Sequence, residues 1–166
     1  MSIPKTYDED IKMQLSKIDF KNKEILDIGT RNGLNCITMK NLGSKKVIGI
    51  DINDSRFNEL NEDIKLKNNI QLIKIDLLDY EIDDSNKFNI ITCFLWNMPL
   101  FLYDKIIKKI LLLLKSNGTF YVGIHDYLYK YDKHGGSVII LLGKYFKNIK
   151  ILDKENSFQW IIEASN

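Results

Sequence analysis

A chain of 166 residues can bury one sizeable hydrophobic core but not the cores of two ordinary domains. With 45% hydrophobic and 28% charged residues it falls among globular proteins and outside the disordered and fibrous classes. Its 24 basic residues face 22 acidic ones, a balance that permits a nucleic-acid partner without indicating one, and the apolar run 110–114 is far too short to cross a bilayer.

In chain order, residues 7–18 read as an amphipathic helix added before the first strand. From Glu24 onward short apolar runs alternate with amphipathic stretches. Residues 24–28 form the first strand candidate, ended by Gly29, and a helix over 34–42 is closed by Gly43. Residues 46–50 form a second buried strand. Asp54 is placed to cap a helix in which Phe57, Leu60, Ile64 and Leu66 recur at helical spacing. A third strand spans 70–75, and the polar stretch 79–87 carries a short helix or loop before a fourth strand over 88–95. Pro99 suits the first turn of a helix whose broad apolar face runs through Ile106, Ile107, Ile110, Leu111 and Leu114, with Asn117-Gly118 as its stop. A fifth strand covers 119–125, followed by the polar segment 127–136 and a helix over 137–146.

The final strands, 149–153 and 158–163, are separated by only a few residues. A parallel crossover needs a dozen or more, so they pair antiparallel. The expected fold is α/β: a single doubly wound, mostly parallel sheet with a C-terminal antiparallel hairpin, forming one domain over 1–166 with an N-terminal helical extension over 1–20. Cys36 and Cys93 sit in apolar surroundings and read as buried free thiols, which suits a reducing compartment. The N-terminal residues lack the charged, apolar, small-residue order of a signal peptide, so cytoplasm is the expected location.

In open sheets of this type a ligand lies over the carboxyl ends of the strands, where strand order reverses. The first such loop is Asp27-Ile28-Gly29-Thr30-Arg31-Asn32-Gly33. Gly29 permits a tight turn, and Gly33 lets the next helix approach the strand. Amides at that helix start favour a carboxylate. About twenty residues on, Asp51 ends the second strand, where its carboxylate can accept from both hydroxyls of a ribose. Asp76 ends the third strand and can accept from the amino group of an adenine, with the Leu77 amide nearby. Three strand-end carboxylates thus trace a path for amino acid, ribose and base.

Together the 24–33 segment, Asp51, Asp76, the 88–99 strand and turn, and the closing hairpin resemble the class I methyltransferases that use S-adenosylmethionine, over nearly the whole chain. The resemblance implies a seven-stranded fold and cofactor contacts from Asp27, Gly29, Thr30, Arg31, Gly33, Asp51, Ile52, Asp76, Leu77 and Phe94. Asp27 would orient the methionine end and Asp51 would hold the ribose. The family's loop usually has a glycine where this chain has Arg31. That arginine is either a solvated surface residue or a bidentate partner of the cofactor's carboxylate.

Methyl transfer from a sulfonium is a direct displacement, so the protein chiefly aligns the acceptor and, for a hydroxyl or protonated amine, supplies a base. Asn97, in Trp96-Asn97-Met98-Pro99, faintly resembles the Asn-Pro-Pro-aromatic motif of amino-group methyltransferases, with Met98 and Leu100 as departures; it either orients the acceptor or serves the turn. His125 and Asp126 end the fifth strand, and His125 is the better-placed candidate base. Trp96, Tyr127 and His134 are candidate acceptor contacts, the latter two in a basic, aromatic segment that is either a closing lid or a plain connection. No cysteine-histidine cluster has metal spacing. The expected acceptor is a nitrogen or oxygen, leaning to a small molecule such as a sugar nucleotide or metabolite. A nucleic acid, a protein, a non-catalytic cofactor-binding subunit and a nicotinamide-dependent enzyme are the rival readings.

Overall fold

The computed structural model describes residues 7–60, 62–94, 100–125, 135–153 and 159–166. Seven strands, β1 (Glu24–Ile28), β2 (Lys46–Asp51), β3 (Ile70–Lys74), β4 (Phe88–Cys93), β5 (Leu114–His125), β6 (Asn148–Asp153) and β7 (Gln159–Ser165), form one sheet in the order β3-β2-β1-β4-β5-β7-β6. The first five run parallel, and β7 pairs antiparallel with both β5 and β6. The expected doubly wound sheet with an antiparallel finish is therefore present.

Period-two alternation explains how the sheet is covered on both faces. Leu26, Ile28, Ile91 and Val122 point into a core shared with α4 (Tyr103–Leu113) and α5 (Gly135–Leu142), whose Ile107, Ile110 and Leu142 are fully buried. Ile25, Val47, Ile90 and Phe94 point the other way, into a core with α1 (Tyr7–Leu15) and α2 (Leu34–Asn41). Each such fully buried aliphatic side chain contributes about 1.5–3 kcal/mol. Asp27 and Thr92 share the second face, beneath α2, because they lie two residues from Ile25 and Ile90. Cys36 and Cys93 are buried free thiols.

Two stretches depart from the sequence reading. Residues 54–66 do not make one helix. A 3-10 turn, Phe57–Glu59, precedes α3 (Glu62–Lys67), and Leu60 between them is extended at φ −95°, ψ 120°. The N-cap of that turn is Arg56 and not Asp54, whose carboxylate pairs with Lys74 at 3.1 Å, while Arg56 and Glu59 lock the turn through two contacts of 2.6 and 2.9 Å. Leu60 is thereby buried, with Cδ2 3.2 Å from where a Cβ on Gly33 would lie.

The other departure is the end of α4. The helix stops at Leu113, ahead of Asn117-Gly118, because Leu114 turns extended (φ −82°, ψ 143°) and pairs with Phe88 across a register shift in β5. Smaller differences are a helix α1 ending at Leu15, an α5 ending at Leu142 with Tyr145 and Phe146 in following turns, and short 3-10 turns at Leu77–Asp79 and Asp84–Asn86 within the expected polar stretch.

Candidate functional site

The loop from β1 into α2 is held from below. The Gly29 and Thr30 amides both donate to the Ile50 carbonyl at 2.9 and 3.1 Å, and the Gly33 amide donates to the Thr30 carbonyl at 2.9 Å. Gly29, Arg31 and Gly33 all adopt left-handed backbone, with φ of 71°, 54° and 79°. Arg31 therefore follows the path a glycine would take, at a cost of roughly 1–2 kcal/mol for an L side chain. Its amide is well used, donating to Asp51 Oδ2 at 3.0 Å. A Cβ on Gly29 would meet no protein atom within 4 Å, so positive φ, and not protein packing, is what calls for glycine there.

Gly49, in the middle of β2, is a residue that sequence reasoning missed. A Cβ there would fall 2.6–2.8 Å from the Thr30 side chain, so the loop can seat on β2 only over a glycine. The signal was available: a lone glycine inside an apolar strand marks close backbone approach. Thr30, 3% exposed, is consequently a buried support of the loop and does not line the crevice above it.

Asp27 is also buried, at 1% exposure. Its Oδ1 accepts from Thr92 Oγ1 at 2.7 Å, and the Cys36 thiol, itself 3.1 Å from Thr30 Oγ1, lies 3.8 Å from Oδ2. Burial pushes the Asp27 carboxyl from its ordinary 3.8 up to about 6, with Thr92, Thr30 and Cys36 holding it down and the Asp51 charge adding to the rise. Burial likewise pushes both thiols up, away from the thiolate form. Thr92 was not among the sequence candidates; it faces Asp27 because β4 is the strand next to β1, in the register Asp27↔Thr92.

Above the loop a crevice of about 500 Å³ opens at the carboxyl ends of the parallel strands. Of the residues assigned to a cofactor, Gly29, Arg31, Asp51, Ile52, Asp76, Leu77 and Phe94 line it, whereas Asp27, Thr30 and Gly33 are buried and do not. Asp51 is fixed at both oxygens, Oδ2 by the Arg31 amide and Oδ1 by the Asn53 amide, each at 3.0 Å. A carboxylate oxygen accepts two donors, so each retains one place for a hydroxyl. Asp76 Oδ1 takes the Leu78 amide at 2.8 Å, capping the turn Leu77–Asp79. Ile28, Ile50, Ile75, Leu78, Cys93, Leu102 and Ile106 supply an apolar wall.

β5 reaches His125 opposite Gln159, at the same end of the sheet as the crevice. Trp96, Asn97, Asp126, Tyr127 and His134 lie outside the described residues. Among the described residues there is no His, Cys, Asp and Glu group that could hold a metal ion, and no helix long and apolar enough to cross a membrane.

A crevice at the β1/β4 reversal, with a carboxylate offering two acceptor places beside a glycine turn and an apolar wall, is an α/β site of the kind that suits a nucleoside-bearing ligand. Residues 19–160 match the family model described as a methyltransferase domain, and the chain belongs to that family, whose cofactor is S-adenosylmethionine. The chain is 30% identical over 140 residues to a ribosomal protein L11 methyltransferase of Aquifex aeolicus, covering 84% of this chain and 51% of that protein. It is 34% identical over 100 residues to a candidate protein N5-glutamine methyltransferase of Methanocaldococcus jannaschii, covering 58% and 48%. The chain thus spans about half the length of these relatives. Its fold is shared with the N-methyltransferase NodS of Bradyrhizobium japonicum, solved with S-adenosyl-L-homocysteine, at a TM-score of 0.71 and 15% identity over 99% of this chain and 90% of that one.

The residues present suit the cofactor. Asp51 can take a ribose, the open face of Gly29 leaves room for close approach, and the apolar wall suits an adenine and a thioether.

Proposed function

We propose that the protein is an S-adenosylmethionine-dependent methyltransferase whose acceptor is a nitrogen of a protein. The observation that carries the methyltransferase reading is Asp51, with both oxygens tethered by backbone amides and both still able to accept, at the floor of a crevice beside the Gly29 turn. An even charge balance suits a small-molecule acceptor, but it suits a protein segment equally. The names of the L11 and N5-glutamine relatives favour the protein.

The bound cofactor supplies an activated methyl group on a sulfonium. The chain's own work is to hold the ribose on Asp51, exclude water with the apolar wall, and bring the acceptor in line. In this reading Asn97 aims the acceptor nitrogen and Trp96 borders its pocket. His125, with Asp126 beside it, takes the proton of a charged acceptor, and Tyr127 and His134 contribute contacts from the following segment.

The test is incubation of the purified chain with methyl-tritiated cofactor and, separately, a cell-extract protein fraction, an RNA fraction and a small-molecule filtrate. Label that precipitates with protein and is released by protease is expected. Label appearing in RNA or in the filtrate alone would overturn the protein acceptor. Binding of S-adenosylhomocysteine without transfer to any fraction would favour a non-catalytic cofactor-binding subunit.

A further inference from the structure

Three charged side chains line the crevice among the described residues, and Arg31 is the only cation; the others are Asp51 and Asp76. Its position is costly, because glycine adopts a φ of +54° freely and an arginine does not. The backbone duty of the residue does not account for the side chain, since a glycine would present the same amide to Asp51 Oδ2. Nor does internal pairing. Glu59, the acid whose carboxyl feels the Arg31 charge, is engaged by Arg56 at 2.6 and 2.9 Å and by Asn32 at 3.1 Å. No ion pair to Arg31 exists among the described residues, and the residue is exposed at the crevice mouth.

We infer that the Arg31 guanidinium is the carboxylate-binding element of the crevice and makes it selective for ligands that keep the amino-acid end of the cofactor. The inference rests on the methyltransferase reading. The geometry fits the ligand's own layout. The Arg31 amide donates to Asp51 Oδ2, the carboxylate assigned to the ribose, and the same residue lines the crevice, so its side chain is rooted beside the ribose position. A planar guanidinium grips a carboxylate with two parallel hydrogen bonds, which a lysine cannot reproduce.

Isothermal titration with two ligands tests this. S-adenosylhomocysteine carries the carboxylate; 5′-methylthioadenosine keeps the nucleoside and thioether but lacks the amino-acid end. Arg31→Gly preserves the left-handed backbone and the amide to Asp51, and Arg31→Lys preserves charge without the fork. Arg31→Gly should weaken S-adenosylhomocysteine by about tenfold or more and change methylthioadenosine by less than about twofold, with Arg31→Lys between wild type and Arg31→Gly for the first ligand.

Equal weakening of both ligands would overturn the inference, since the residue would then act through loop shape. So would undiminished S-adenosylhomocysteine affinity in Arg31→Gly. A wild-type chain that binds neither ligand would instead overturn the methyltransferase reading, and this inference with it.

Discussion

Replacing Asp27 by asparagine removes a carboxyl that the fold holds at a thermodynamic disadvantage. The group titrates near 6 in the folded chain against 3.8 ordinarily, because burial outweighs the donors Thr92, Thr30 and Cys36. Below about pH 4 folded and unfolded chains both carry the proton, and there is no penalty. Between pH 4 and 6 the unfolded chain has released its proton and the folded chain has not, so stability falls as pH rises. Above 6 the fold bears the whole cost of the buried charge. The two values lie about two pH units apart, and at about 1.4 kcal/mol each this amounts to about 3 kcal/mol.

An asparagine side chain does not titrate, so the stability of Asp27→Asn relative to wild type should rise by about 3 kcal/mol from pH 3 to pH 7. Urea unfolding of both chains across that range measures it, and taking the difference cancels the other carboxylates. A difference that stays constant within about 0.5 kcal/mol would refute the claim that burial raises the Asp27 carboxyl. The same variant should bind S-adenosylhomocysteine more weakly, the usual relation between a strained charged site and its function.

Asp51→Ala should weaken S-adenosylhomocysteine by about a hundredfold through loss of charge-assisted hydrogen bonds to the ribose, and a change under threefold by calorimetry would remove the assignment. Gly49→Ala places a Cβ 2.6–2.8 Å from Thr30 and should cost about 1–3 kcal/mol of stability by urea unfolding, partly recovered when Thr30→Gly is added. His125→Ala should lower turnover by about a hundredfold or more while leaving S-adenosylhomocysteine affinity near wild type; turnover at the wild-type rate would show that His125 is not the base.

The sheet was legible because its strands are short, mostly apolar runs closed by polar or glycine residues, such as 24–28 before Gly29 and 46–50 before Asp51. Strand-end position likewise exposed Asp51 and Asp76. What stayed hidden depended on which strands are neighbours. Thr92 meets Asp27 only because β1 lies beside β4, a fact no local window contains. The apolar wall, Ile28, Ile50, Ile75 and Ile106, reads as ordinary core until the crevice above it is known.

Periodicity failed in two particular ways. Phe57, Leu60 and Ile64 recur at helical spacing, yet Leu60 is extended, because the Lys74 contact of Asp54 and the seat beside Gly33 decide that segment. The run Leu111 to Leu114 is uniformly apolar, so nothing in it marks where α4 yields to β5. Pairing with Phe88 makes that decision.

The strand order β5-β7-β6 has a consequence for how the chain is made. A ribosome releases β6 before β7, and among the described residues β6 has no neighbour in the sheet except β7, so it joins the sheet only with or after that strand. Until residues 159–165 are available, the edge of β5 that will pair with them lies open, and residues 148–153 wait unpaired. An open strand edge is a template for other chains, and the interval between synthesis of β5 and arrival of β7 is when this protein is most exposed to misassociation.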